Sequence, residues 1–203
     1  MGGNWREYDE LVLDPVLRAA VSAFVETGYH GATVRRVAQL AGLSVPGIYH
    51  HFATKQDMLV GILDITMDDL LHRSHQAKEE GGGDPVATFC LLVECLALFH
   101  CYRRDLGLIG ASEMRSLEPA NRARIASLRT AQQRLLDAEV DQAHRSGVFA
   151  VRYPHDAARA VTTMCSAIPQ WYRVGQEATP EAIAGRYVDF ALGMMRFGGE
   201  RPR

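Results

Sequence analysis

The chain has 203 residues, of which 47% are apolar and 23% are charged, and its formal net charge is −2. This length and balance are typical of a globular protein with one large or two small domains. The apolar run 91–102 is too short and too interrupted to span a bilayer, so we expect no membrane partner. The first residues lack the basic and apolar pattern of a secretory leader, so we expect a cytoplasmic protein.

Apolar residues recur at helical spacing, and no stretch alternates as a strand would. The sequence therefore predicts an all-α fold of about nine helices. The predicted helices cover residues 15–28, 32–42, 44–52, 54–80, 85–103, 106–117, 119–146, 155–173 and 180–197. The glycine-rich segment 81–85 is the best candidate for a linker. We expect loosely ordered ends at 1–4 and 198–203.

Capping residues mark the boundaries of the second, third and fourth helices. Thr33 is expected to cap the second helix, and Gly42 is expected to end it. Ser44 is expected to cap the third helix. Thr54 is expected to cap the fourth helix, with Asp57 at the capping-box position.

The second and third helices are joined by the tight turn "GLS", and the third helix is short. This order is typical of a helix-turn-helix, whose second helix enters the major groove of DNA. About two turns suffice for that role. No Asp or Glu lies between Thr27 and Gln56, whereas Arg35, Arg36 and Lys55 do. A window without acids favours an anion-facing surface.

Residue types in the third helix suit contact with DNA. Val45, Pro46 and Gly47 are small and let the backbone approach base edges, and the first two can touch thymine methyl groups. Long donors placed to reach phosphates follow at Tyr49, His50 and His51.

Three residues outside the third helix are also candidate DNA contacts. Lys55 and Thr33 each lie at the start of a helix, where free N–H groups suit a phosphate. Arg35 is placed to reach either a guanine edge or a phosphate, and the sequence leaves both open.

The stretch "VETGYHGATVRRVAQLAGLSVPGIYHHFATKQDML" resembles the N-terminal domain of the TetR family of transcriptional regulators. The turn "AGLS", the "GIYHHF" after it and the K-x-x-M that follows carry the resemblance, which covers about residues 14–60. It implies a DNA-binding domain over 8–56 and a ligand-binding and dimerisation domain over 57–198, with 54–80 as connecting helix. By this resemblance the DNA contacts are Thr33, Arg35, Ser44, Val45, Pro46, Gly47, Tyr49, His50, His51 and Lys55.

The resemblance implies a homodimeric regulator that binds a double-stranded DNA operator and is most often a repressor. A small, largely apolar effector would release it from the operator. Three alternatives stay open: an activator or ligand-free regulator of the same fold, a helical adaptor that does not use its helix-turn-helix, and an all-α enzyme that uses the histidine cluster.

The C-terminal stretch 171–195 resembles a branch of the family that often senses acyl-CoA thioesters, lipids or catabolites. In that branch the last two helices pair with their copies in a dimer. The residues expected at the dimer interface are Ile183, Tyr187, Phe190, Ala191 and Met194. Packing within a single chain is the alternative for this face.

The candidate effector contacts lie on several helices. They are Phe89, Leu92, Val93, Leu96, Phe99, His100, Ile109, Met114, Leu128, Gln132, Met164, Ile168, Trp171 and Tyr172. Core packing explains the same spacing, for His100 in particular. Pro169 is expected to kink its helix. The kink could line an effector pocket or could simply pack in the core, and the sequence leaves both open.

Metal, cofactor and catalytic sites are not indicated. The four cysteines, Cys90, Cys95, Cys101 and Cys165, show no C-x-x-C and no paired spacing, so we interpret them as packed thiols. His50 and His51 are adjacent on a helix and point about 100° apart, so both cannot face one metal. No nucleophile, base and orienting residue can be assembled from the spacings.

Overall fold

The computed structural model describes residues 4–199, and over these residues the protein is all-helical without a strand, as predicted. Most of the two ends expected to be loose lies outside this range. The helices are α1 Pro15–Gly31, α2 Val34–Ala41, α3 Val45–His51, α4 Lys55–Glu80, α5 Pro85–Tyr102, α6 Arg104–Ser112, α7 Pro119–Arg145, α8 Pro154–Ser166, α9 Ile168–Trp171 and α10 Pro180–Met194. A 3-10 turn, Glu113–Ser116, lies between α6 and α7.

The tenth helix arises because the predicted helix 155–173 is divided. α8 ends at Ser166, and α9 begins at Ile168. Pro169 has no N–H to donate to the carbonyl of Cys165, so the helical hydrogen bonding cannot continue through it. The kink expected at Pro169 is therefore a helix end followed by a single new turn.

The described residues form two compact units. The smaller unit comprises residues 9–68 and 105–128, and the larger unit comprises residues 4–8, 69–104 and 129–199. The functional boundary predicted at 56/57 is a different division and stays a prediction.

The smaller unit has an apolar core built from several helices. α1 is broken at Gly28, where φ is 71°, so the helical run ends where the sequence predicts. Val16, Val37 and Ile48 are fully buried in this core. The burial of residues from α1, α2 and α3 in one cluster makes the first three helices a single packed body.

The larger unit is built around α5. This helix packs against α8, α9 and α10, and Phe89 meets Phe149 edge to face at 5.1 Å between ring centroids. Among the described residues, α5 is the one helix long and apolar enough to cross a membrane, but 72% of that window is buried within the chain. Such burial is that of a core helix.

The segment predicted as a linker is a tight turn between α4 and α5. Gly81 is buried, and the Asp84 carboxylate accepts the N–H groups of Val86 and Ala87 at 2.8 Å each. A Cβ atom at Gly81 would lie 2.8 Å from the Cα of Thr88. Glycine is therefore required at 81 because the two helices approach closely.

We predict that Gly81→Ala lowers the free energy of unfolding by about 2 kcal/mol, since the new methyl meets backbone that cannot rotate away. Gly110→Ala is the matched control, because its Cβ would meet only Leu63 at 4.0 Å. It should be neutral or stabilising by up to about 1 kcal/mol. Urea denaturation followed by circular dichroism measures both, and equal stability of the two variants would contradict the close approach at 81.

Candidate nucleic-acid interface

α2 begins and ends at the residues that the sequence predicts. Thr33 Oγ1 accepts the N–H of Arg36 at 3.1 Å and caps α2. Gly42 is left-handed, with φ 68°, and the N–H of Leu43 then returns to the carbonyl of Ala38 at 2.9 Å. This is the hydrogen bonding of a helix C-terminus that turns sharply, and glycine permits the conformation.

α3 is capped at one end and anchored through its middle. Ser44 Oγ accepts the N–H of Gly47 at 3.1 Å, and Ile48 is fully buried. Pro46, Tyr49 and His50 are exposed on the helix, with half of Tyr49 accessible. The anchored face thus leaves an outward face of α3 that can enter a groove.

Three residues of α3 that are predicted to contact DNA differ in their surroundings. Val45 packs partly against the core, so its methyl groups are less available for thymine than those of an outward residue. His51 Nδ1 lies 3.7 Å from the carboxylate of Asp14, which also caps α1. Since that carboxylate carries negative charge, His50 is the better placed of the two histidines for a phosphate.

The two arginines of α2 have different surroundings. Arg36 donates to Glu26 at 3.1 Å and to Gln39 at 3.2 Å. Arg35 is exposed. The positive charge of this surface is therefore presented mainly by Arg35.

Lys55 has a role in the unbound chain that differs from the predicted phosphate contact. Its Nζ donates to the carbonyls of Tyr29 at 2.7 Å and Ala32 at 2.9 Å, and it lies 4.4 Å from the centre of the Tyr29 ring. Burial lowers the pKa of the Lys55 ammonium, an effect opposed by the charge of Glu113. The side chain ties the end of α1 to the start of α4.

Gln56 is a positioning residue that the sequence reasoning missed. Its side-chain amide donates to the hydroxyl of Tyr29 and to the carbonyl of Ser116, both at 3.2 Å. Its Oε1 accepts the N–H of Glu118 at 2.7 Å. Glutamine at the start of a helix is unremarkable in sequence, and its partners lie 27, 60 and 62 residues away, so no local signal could have found it.

Glu113 completes the same region. Its carboxylate accepts the N–H of Tyr29 at 3.3 Å and the hydroxyl of Ser116 at 2.7 Å. Together with Gln56 it fastens the 3-10 turn onto the end of α1 and the start of α4, all within the smaller unit.

The predicted effector contacts fall into two groups. Ile109, Met114 and Leu128 belong to the apolar core of the smaller unit, so they do not join the others in one compact unit. Ile109 on α6 is buried in that core, and Met114 and Leu128 pack against it. The single effector set expected from the spacing stays a prediction. In the larger unit the buried members are Phe89, Leu92, Val93, Leu96, Phe99, His100, Gln132, Ile168 and Tyr172.

Two further predicted effector contacts are less enclosed. Met164 is half-buried. Trp171 is 45% exposed and stacks on Tyr187 at 6.4 Å between centroids. Trp171 therefore lies on the surface beside the predicted dimer face, and its assignment to a pocket stays a prediction.

The predicted dimer face is only partly available. Ile183 and Ala191 are buried inside the chain, where α10 packs on α5. Helical spacing alone does not say which side the chain itself covers, and their assignment to an interface stays a prediction. Phe190 is 59% exposed, and Tyr187 and Met194 are half-buried.

Within residues 4–199 no three His, Cys, Asp or Glu side chains are grouped so that they could hold a metal ion. The four cysteines are buried and free. Burial raises the pKa of the Cys95 and Cys101 thiols to about 12 each. These thiols are protonated and unreactive at neutral pH.

Comparison with known proteins assigns both parts of the chain. Residues 16–62 match the model of bacterial regulatory proteins of the tetR family, and residues 82–195 match that of a tetracyclin repressor-like C-terminal domain. The transcriptional repressor KstR2 of Rhodococcus jostii (strain RHA1) is 29% identical over 190 residues, covering 87% of each chain.

Solved structures agree on the fold. A bacterial regulatory protein in the tetR family from Rhodococcus RHA1 superposes with a TM-score of 0.85 at 25% identity, covering 91% of this chain and 97% of that one. AibR in complex with isovaleryl coenzyme A and operator DNA superposes with a TM-score of 0.78 at 22% identity, covering 86% and 95%. The latter likeness concerns the fold alone.

The C-terminal match alone covers more than half of the chain, and the N-terminal match spans the helix-turn-helix. Members of this family regulate transcription by binding DNA and are not enzymes. The chain therefore belongs to the TetR family of DNA-binding transcriptional regulators.

Proposed function

We propose that the protein is a homodimeric cytoplasmic repressor that leaves its operator when a small, largely apolar effector binds. The observation that carries the DNA-binding part is the outward face of α3, which exposes Pro46, Tyr49 and His50 beside exposed Arg35. The likeness to KstR2 supports repression rather than activation.

Each protomer would place α3 in one major groove, with the two half-sites about one helical turn apart, roughly 34–36 Å. Tyr49 and His50 contact phosphates, and Ser44 and Thr33 lie where their helices begin. Pro46 and Gly47 allow close approach to the bases. Specificity then comes from Arg35, thymine methyl groups and DNA shape.

An exposed aromatic patch supports the homodimer. Trp171, Tyr187 and Phe190 are neighbours, with Tyr187 and Phe190 at 6.0 Å between ring centroids. Large exposed aromatic side chains are enriched at protein interfaces. Met194 extends the same helix face.

The effector site is supported by polar atoms buried in the larger unit. His100 Nδ1 and Gln132 Oε1 are both buried without a hydrogen-bond partner. Burial, followed by the charge of Arg129, lowers the pKa of His100 to about 4, so its imidazole is neutral at physiological pH.

A buried neutral imidazole and an amide oxygen suit an uncharged hydrogen-bonding group on an otherwise apolar molecule. A lipid hydroxyl can donate to the Gln132 oxygen, and a thioester carbonyl can accept from a protonated Nδ1 of the neutral His100 ring. AibR was solved with isovaleryl coenzyme A.

Selection of genomic fragments by the purified protein, followed by anisotropy titration against random DNA, tests the DNA-binding part. A fragment bound at least a hundredfold more tightly than random DNA is the expected result, since specific and non-specific affinities typically differ by about 10³ or more. The absence of any preferred fragment would refute the proposed function.

We predict that Arg35→Ala weakens binding to the selected fragment by tenfold or more, in line with about 1–3 kcal/mol for a specific contact. Arg36→Ala is the matched control and should have a smaller effect, because Arg36 is already paired with Glu26. A fall of about 0.9 in the salt slope would assign Arg35 to a phosphate, and an unchanged slope with relaxed specificity would assign it to a base. Equal losses for the two variants would contradict the prediction.

We predict that Lys55→Met lowers the free energy of unfolding by about 2 kcal/mol, because two carbonyls lose a charged donor. DNA affinity should fall with it while the salt slope stays at the parental value. Chemical denaturation and titrations at several salt concentrations measure these quantities. A slope lower by about 0.9 with parental stability would show instead that Lys55 neutralises a phosphate.

We predict that His100 makes stability depend on pH. Its folded pKa is about 4 and its unfolded value is 6.5, so the unfolded chain binds the extra proton between these values and stability falls as pH is lowered. The loss between pH 7.5 and pH 5 is about 2 kcal/mol. His100→Gln should lack this pH-dependent loss of stability, whereas Gln132→Leu should keep it. Urea denaturation at both pH values tests this, and identical pH dependence in His100→Gln and the parent would contradict it.

A further inference from the structure

The chain passes between its two compact units four times. These passages fall directly after Tyr8, before Asp69, after Arg104 and before Arg129. Residues at the first three passages meet in the larger unit. We call Tyr8, Asp69, Arg73, Tyr102 and Arg103 the junction cluster.

The junction cluster combines stacked aromatic rings with two ion pairs that share Asp69. The rings of Tyr8 and Tyr102 stack with centroids 4.6 Å apart and an interplanar angle of 13°. The guanidinium groups of Arg73 and Arg103 lie 3.9 and 5.3 Å from the centre of the Tyr8 ring. Asp69 accepts from the Nε of Arg73 at 2.7 Å and of Arg103 at 3.1 Å. These three charged side chains are only 11–14% exposed, so their pairing is little screened by solvent.

Residues 4–8, here called the N-terminal strap, are fastened to the same unit. Trp5 is 3% exposed, and its indole N–H donates to Glu80 at 2.6 Å. Arg6 pairs with Glu80 and Glu94 at 2.8 Å each. Arg73 donates to the carbonyl of Trp5 at 2.6 Å, which joins the strap to the junction cluster.

Without this packing, three chain segments would be less restricted in conformation where they leave the larger unit. One of them is α4, whose first residues Lys55 and Gln56 hold the end of α1. If only a fraction of the molecules has the arrangement that binds DNA, the observed affinity falls in proportion to that fraction.

We propose that Tyr8, Asp69 and Arg103 are positioning residues for DNA binding, which hold the segments leading to the helix-turn-helix without touching DNA. The proposal rests on the proposed function, since it concerns how well the protein binds its operator.

The side-chain chemistry of Tyr8 provides a sharp test. Its hydroxyl is buried without a hydrogen-bond partner, so Tyr8→Phe keeps the ring and its stacking, whereas Tyr8→Ala removes them. Tyr153→Ala is the matched control, because it also removes a tyrosine ring from beside an arginine of the larger unit, but away from the passages.

The experiment titrates the full chain with the selected DNA fragment at several salt concentrations. Tyr8→Ala should raise Kd five- to twentyfold with the parental salt slope, whereas Tyr8→Phe and Tyr153→Ala should stay within twofold of the parent. Hydrogen exchange on the same proteins should show faster exchange at 4–8 and 69–76 in Tyr8→Ala and parental protection in α1–α3.

Several results would overturn the proposal. Parental affinity in Tyr8→Ala would remove the positioning role, and a salt slope lower by about 0.9 would indicate loss of a phosphate contact instead. Equal weakening by Tyr8→Phe would place the effect in the hydroxyl and not in the stacked ring. If the parent prefers no fragment, the proposed function itself fails, whereas a binding parent with an unaffected Tyr8→Ala refutes only the positioning role.

Discussion

Seven residues are too few to form a stable α-helix in water, because the cost of starting the helix is not recovered over two turns. α3 therefore exists only because its surroundings hold it. Ser44 satisfies its first free N–H, Ile48 is buried in the core of the smaller unit, and the Gly42 turn sets its direction. The proposed DNA-binding surface is in this sense a property of the packed first three helices and of the residues that position them.

That dependence explains why so many buried polar contacts surround the helix-turn-helix. Gln56, Glu113 and Lys55 satisfy carbonyl and N–H groups at the end of α1 and in the turn before α7. Each leaves a buried polar group unpaired if it is removed, which is costly away from water. Directional bonds fix the end of α1 against the start of α4 more sharply than apolar packing alone, because hydrogen bonds weaken when they bend.

Features set by a few neighbouring residues could be predicted from the sequence. The caps at Thr33, Ser44 and Thr54, the left-handed Gly42 and the helix end near Pro169 all follow from local backbone chemistry. Features set by distant partners could not. Helical spacing marks Ile183 and Ala191 as apolar, but only the position of α5 shows that the chain itself covers them. In the same way, the carbonyls that hold Lys55 and the partners of Gln56 cannot be identified from the sequence, because only the folded chain brings them together.

The two tryptophans of the chain have opposite surroundings. Trp5 is almost fully buried with its indole N–H bound to a carboxylate, and Trp171 is nearly half exposed beside Tyr187. Their fluorescence should therefore differ in colour, with a blue-shifted emission from the N-terminal strap and a red-shifted emission from the aromatic patch. The protein thus carries two natural optical reporters, one for the attachment of the N-terminal strap and one for the proposed association of two protomers.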